Sequence, residues 1–299
     1  MITRFNREDI YELIRLFELQ NLKFRYRIKA SPELALCLVL MKLSFPQRYH
    51  QLTSIFGRSI THLSVVFTDT VIYLATRYEK MLRWHPMLTY ERIQQYARAV
   101  DALGGGDCIR GFVDGTFKGF CRPGEQQRRF YSGYKKQHGY KYQAVVCPDG
   151  LVTALSGPFE GRVNDFYMVK DSKLEEDCEA LMGQNPPYYL YGDCAYKQLA
   201  YIFGPFLGGK SLPIEKQLFN KQLSSVRISV EQALGLTQNL WAANAYKIQL
   251  KSCLQPVASY FHVAILLTNC YTCIYSAGAV GSRFQVKPPS LQEYLSYGR

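Results

Sequence analysis

No stretch of this chain combines the length and the freedom from polar groups expected of a membrane span. The most apolar one, VASYFHVAILLTNCYTCIY (Val257 to Tyr275), carries His262, Asn269 and several hydroxyls, so it reads as a buried helix and no membrane partner is expected. A secretory signal is lacking too: MITRFNREDIYELIRLF is a charged, amphipathic opening. The nine cysteines are odd in number and scattered, which argues against a disulfide-built secreted scaffold and for reduced thiols in the nucleus or cytosol. Cys270 and Cys273 form one CxxC, but two further ligands at compatible spacing are missing, so a core helix is preferred to a zinc site. Acids are scarce: 24 against 36 lysines and arginines, a net charge of +12. That excess favours a polyanionic partner, nucleic acid or an anionic surface.

Apolar residues are not scarce. They make up 47% of 299 residues, which excludes a disordered chain and allows one or two domains. Residues 1–105 read as helical. Asn6 and Asp9 fit a capping box, and Ser31-Pro32-Glu33 a second helix start. A short helix from Tyr49 to Phe56, a turn at Gly57 and a longer helix from about Ile60 have helix-turn-helix form. As a DNA reader it would expose Thr61, His62 and Ser64; as an ordinary helical hairpin it would only support the next domain. KFRYRIK (Lys23 to Lys29) alternates cations with apolar groups, as in a strand that tracks phosphates or a solvated sheet edge.

After LGGGDC the periodicity changes to two. RGFVDGTFKGF, RRFYSGYKK, KYQAVVCPDG, LVTALSGPFEG and YYLYGDC read as strands. A helical segment from about Asp165 to Met182 precedes the last of these, ended by Asn185-Pro186-Pro187. SSVRISVEQALGLTQNLW and Leu254 to Tyr275 read as helices. The expectation is an α/β domain over 106–280, followed by a loose tail over 281–299.

Four acids stand out. Asp114 lies inside an apolar strand, where charge needs compensation. Asp193 ends the fifth strand, where carboxylates converge in open sheets. Glu231 flanks the apolar stripe of a helix, with Arg227 placed for an i,i+4 pair. Asp165 follows a turn and opens a helix. Separately, each has a plain role as cap, turn or ion-pair residue. Together, they would repel unless cations sat between them, and hard carboxylate oxygens suit magnesium. Two such ions roughly 3.5–4 Å apart can drive phosphodiester cleavage. Arg128, Arg129, Lys135 and Lys136 follow the Asp114 strand, interleaved with Phe130, Tyr131 and Tyr134, and are candidates for DNA contact.

FVDGT, YSGYKKQHGYKYQAVVCPDG, GRVNDFYMV, YGDCAY and FNKQLSSVRISVEQALG occur in the order seen in Harbinger-type transposases of the DDE endonuclease superfamily, which the chain resembles from about Gly111 to Tyr275. The resemblance implies an RNase H-like mixed sheet flanked by helices, and a nuclear metal-dependent DNA endonuclease or transposase. It implies catalytic Asp114, Asp193 and Glu231, with Asp165 as a fourth metal ligand. The metal it implies is magnesium, with manganese as the alternative. A Myb-like DNA-binding partner protein and a homo-oligomer also go with such a family. Asn164 replaces the family's usual histidine, and Gln238 and Asn239 stand where a basic residue is common. The alternative expectation is a domesticated, inactive descendant that only binds DNA.

Overall fold

The computed structural model describes residues 3–182, 188–196, 199–247, 250–252, 254–276 and 278–297. Among these, six helices come first: α1 (Arg7–Leu16), α2 (Pro32–Ser44), α3 (Tyr49–Phe56), α4 (Ile60–Arg77), α5 (Glu79–Arg83) and α6 (Tyr90–Asp101). Then follow β1 (Ile109–Gly119), α7 (Gln127–Phe130), β2 (Tyr131–Ser132), β3 (Gln137–Val146), β4 (Val152–Glu160), α8 (Asp165–Ser172), α9 (Leu174–Met182), β5 (Tyr189–Tyr191) and β6 (Ile202–Phe203). Helices α10 (Ile214–Leu240), α11 (Val257–Tyr275), α12 (Ala279–Phe284) and α13 (Leu291–Ser296) close the chain.

The early helices start and stop where their sequence says. Asn6 and Asp9 form the capping box of α1, and Ser31 caps α2 with Pro32 in its first turn. Gly57 ends α3 at φ 61°, a left-handed geometry that glycine adopts without strain, and Ser59 caps α4. Of the expected reading residues, Thr61 is exposed but His62 and Ser64 are half-buried, because α4 sinks Leu63, Val66, Phe67 and Val71 into the core. KFRYRIK is not a strand. Asp69 accepts bonds from both the backbone N and Nε of Arg25, at 2.8 and 2.7 Å. The chain turns tightly there, with Tyr26 at φ 56°.

The sheet is mixed. β4, β3 and β1 run antiparallel, and β1, β5 and β6 run parallel, with β2 a short addition to β3. Helices flank it, which is the RNase H-like α/β arrangement. RRFYSGYKK contributes only Tyr131–Ser132 to the sheet, since Arg128 and Arg129 fall in α7. The expected helix over 165–182 breaks at Lys173, φ 58°, into α8 and α9. The Asn185-Pro186-Pro187 break lies outside the described residues. β6 has no counterpart in the expected strands, being two residues long.

Helix α11 has the length and composition to cross a membrane, yet here it is buried against the sheet. Tyr142 of β3 meets Phe261 at 4.6 Å. Asn269 serves the edge strand β4: its Oδ1 accepts from Val152 N at 3.0 Å, and its Nδ2 donates to Val152 O at 2.8 Å. Residues 281–297 of the expected tail are not loose. Leu291, Tyr294 and Leu295 are buried, and Tyr294 stacks on His85 at 4.6 Å. One hydrophobic cluster runs from Phe5 in the helical region through Phe112 and Tyr142 of the sheet to Leu295.

Candidate functional site

Strand alternation decides which side chains of β1 face the site. Asp114, Thr116 and Lys118 share a face, and all line a cavity of about 540 Å³. Asp165, at the start of α8, and Asp193, just past β5, line the same cavity. Three aspartates from separate segments of the chain are thus gathered in one cavity.

Each is locally fixed. Gly115 donates its N–H to Asp114 Oδ1 at 2.9 Å. A side chain at Gly115 would approach Asp165 Oδ1 to 3.2 Å and Met168 Cε to 3.3 Å, so the glycine of VDGT lets α8 close over β1. Asn164 caps α8 by accepting from Tyr167 N at 2.8 Å, which gives that departure from histidine a structural role. Asp193 Oδ1 accepts from Ala195 N at 2.8 Å. The turn brings Tyr196 back beneath Gly192, where a Cβ would stand 2.7 Å from the ring.

Glu231 does not line the cavity. It stands on α10, exposed, and is joined to the site through Arg227. That guanidinium lies 3.4 Å from Glu231 Oε1 and 3.9 Å from Asp114 Oδ2. The expected i,i+4 pair therefore forms and extends to a third residue. Burial lifts the Asp114 carboxyl to about 6. Arg227 and the Gly115 N–H oppose that rise, whereas Asp193 and Glu231 add to it. The carboxylates feel one another even where they do not touch.

The same cavity is also basic. Lys118, Lys135, Lys141 and Lys247 line the cavity with Gln137 and Gln238. Lys141 donates to Asp165 Oδ1 at 3.2 Å. Lys118 is 7% exposed and lies over the Phe261 ring at 4.6 Å; burial brings its pKa down to about 8. Lys247 is carried to the rim by the backbone bond from Cys121 N to Leu250 O, 2.9 Å. Of the candidate DNA contacts, only Lys135 reaches this cavity. Arg128 and Lys136 are exposed elsewhere, and Arg129 is committed to Glu160 through Nε at 2.7 Å. Thr61 and His62 lie on α4, outside it. The sequence reading missed Lys118 and Asn244 as lining residues, although the i,i+4 alternation from Asp114 places Lys118 on the same face.

The donors are hard carboxylate oxygens, which suit a hard divalent cation bound partly through water. Among the described residues, no group of three or more acidic, histidine or cysteine side chains is already drawn together tightly enough to hold a metal ion. The chemistry of the donors fits such an ion, whereas their spacing is that of an open site.

Residues 113–269 match the family described as DDE superfamily endonuclease. No curated protein and no solved structure matches the chain. The matched span begins within the strand bearing Asp114 and ends in α11, enclosing the four acids and the four lysines of the cavity.

Proposed function

The chain belongs to the DDE superfamily endonucleases, and from that premise we propose that it is a Harbinger-type, metal-dependent DNA nuclease or transposase acting in the nucleus. The observation that carries the reading is the convergence of Asp114, Asp165 and Asp193 on one cavity faced by four lysines. Magnesium, or manganese in its place, would be held by Asp114, Asp193 and Glu231, with Asp165 as an outer ligand. When bound, the metal supplies an activated water and charge stabilisation for phosphodiester cleavage.

The protein's own groups do the rest. Lys118, Lys135 and Lys247 attract and seat the DNA backbone by neutralising phosphates. Lys141 keeps Asp165 oriented toward the cavity. Arg227 restrains Asp114 and Glu231 against their mutual repulsion, a charge compensation that a bound cation would take over. The product would carry a 3′-hydroxyl, which in a transposase attacks target DNA. A Myb-like partner and self-association would supply target choice and synapsis.

The test is nicking of supercoiled plasmid by the purified protein. Magnesium-dependent cutting that Asp114→Asn abolishes, with DNA binding kept, is the expected result. Equal cutting by that variant would falsify the mechanism. The open spacing of the acids favours a second reading, a DNA-binding descendant without chemistry. Tight plasmid binding with no cutting in magnesium or manganese would establish it instead.

A further inference from the structure

A second cavity, of about 420 Å³, opens between the early helices and the segment that leads from Ala243 into α11. Asn244 lines both it and the carboxylate cavity, so the two are neighbours along one surface. Its floor is aromatic. Phe67 lies 5.3 Å from Tyr260 and 6.4 Å from Tyr49, centroid to centroid. Its rim holds three cations, Lys42, Arg48 and Lys251, and among the described residues no acid lines it. Lys42 Nζ sits 4.6 Å from the Tyr49 ring and gives one bond, 2.6 Å to Gln47 O, which commits one of its three donors. Gln47 Oε1 is buried with no hydrogen-bond partner, and Gln47 lines this cavity.

An orphaned amide oxygen marks a place where a donor is expected. Rings, an amide and an all-positive rim together are the chemistry of a nucleotide: π-faces for a base, an acceptor for an exocyclic amine, cations for phosphate. A duplex is too large for such a volume, whereas one planar group is the usual size of ligand for it. We infer that this cavity receives one unstacked nucleotide whose base carries an exocyclic amine, from the DNA strand leaving the carboxylate site past Asn244. The inference rests on the nuclease reading for the identity of the strand. It gives the helical region a direct part in substrate recognition, through Gln47, Arg48 and Tyr49, that needs no reading helix in a groove.

The test is fluorescence anisotropy, in chelator so that no cutting occurs, with duplexes ending in a short single-stranded dA overhang, the same overhang made abasic, or no overhang. The dA overhang is expected to bind about tenfold tighter than the abasic one, in the range that stacking on aromatic side chains supplies. Gln47→Leu should narrow that difference to its stacking part and leave blunt-duplex binding unchanged. Lys251→Gln should weaken dA and abasic overhangs alike, since it meets only phosphate. Equal binding of dA and abasic overhangs by the wild-type chain overturns the inference, as does a Gln47→Leu loss that is the same for blunt DNA. Displacement of the dA overhang by free dAMP at micromolar concentration would assign the cavity to a mononucleotide instead and overturn it too. A wild-type preference for dA in a protein that never cuts plasmid would sink the nuclease reading while leaving the pocket in place.

Discussion

Asp114 shows the tension between folding and chemistry at the level of one side chain. Burial holds its carboxyl at about 6 against an ordinary 3.8, so keeping it ionised at neutral pH costs on the order of 3 kcal/mol before relaxation. The sign follows from linkage. A carboxyl with a raised folded pKa favours the native state at low pH, and that benefit is lost as pH rises through about 6. Asp114→Asn removes the charge at nearly constant shape. In chelator at pH 7.5 it should raise stability by roughly 1–3 kcal/mol, the loss of the 3.9 Å contact with Arg227 offsetting part of the gain. Denaturant melts of the two proteins should converge at pH 4 or below; an equal gap at both pH values would contradict the account. Arg227→Met should act in the opposite sense on the same group, pushing the Asp114 carboxyl further above about 6, as NMR titration of its carboxyl carbon can read.

At the level of elements, two contacts tie late helices to the sheet and the early ones. Asn269 satisfies both the N–H and the C=O of Val152 on the edge strand. Asn269→Leu orphans both and should cost about 2–4 kcal/mol, read from urea unfolding. His85 holds α13. Its Nδ1 accepts from Met87 N at 3.1 Å, and its Nε2 faces Tyr294 O at 3.3 Å, a pattern that requires the neutral ring protonated on Nε2. Burial drops its pKa from 6.5 to about 4. Stability from a basic group so depressed is whole above pH 6.5 and declines as pH falls toward 4, by up to about 3 kcal/mol. Protection factors of the α13 amides, corrected for intrinsic exchange, should therefore fall over that window ahead of those of the sheet; unchanged protection down to pH 4 would refute it. The sequence showed the elements with strong local signals: the capped α1 and α2, the Gly57 turn, and long alternating β1, β3 and β4. It misled where a single tertiary contact overrode the pattern. Asp69 turns KFRYRIK away from a strand, and His85 recruits a segment that looked loose. Asp114, Asp165 and Asp193 were legible from their motifs, but which of the later cations would turn toward them was not. Nothing near Asn244 or Lys247 in sequence reveals that Cys121 and Leu250 bring that segment to the cavity.

For the molecule as a whole, the charge of +12 has a direction. Lys118, Lys135, Lys141 and Lys247 line one cavity, so association with DNA should weaken steeply with salt. Lys247→Gln should lower affinity about equally for unrelated sequences and reduce the slope of log K against log salt by about 0.9. A slope unchanged in that variant would remove Lys247 from the contact. The cavity also draws its acids from β1, the start of α8 and the end of β5, with a long stretch of chain between each. It consequently has no half-formed version. A chain lacking one of these segments, or a proteolytic fragment, would keep individual acids and have nowhere to assemble them, so it would lose the carboxylate cavity outright rather than keep a weaker version of it.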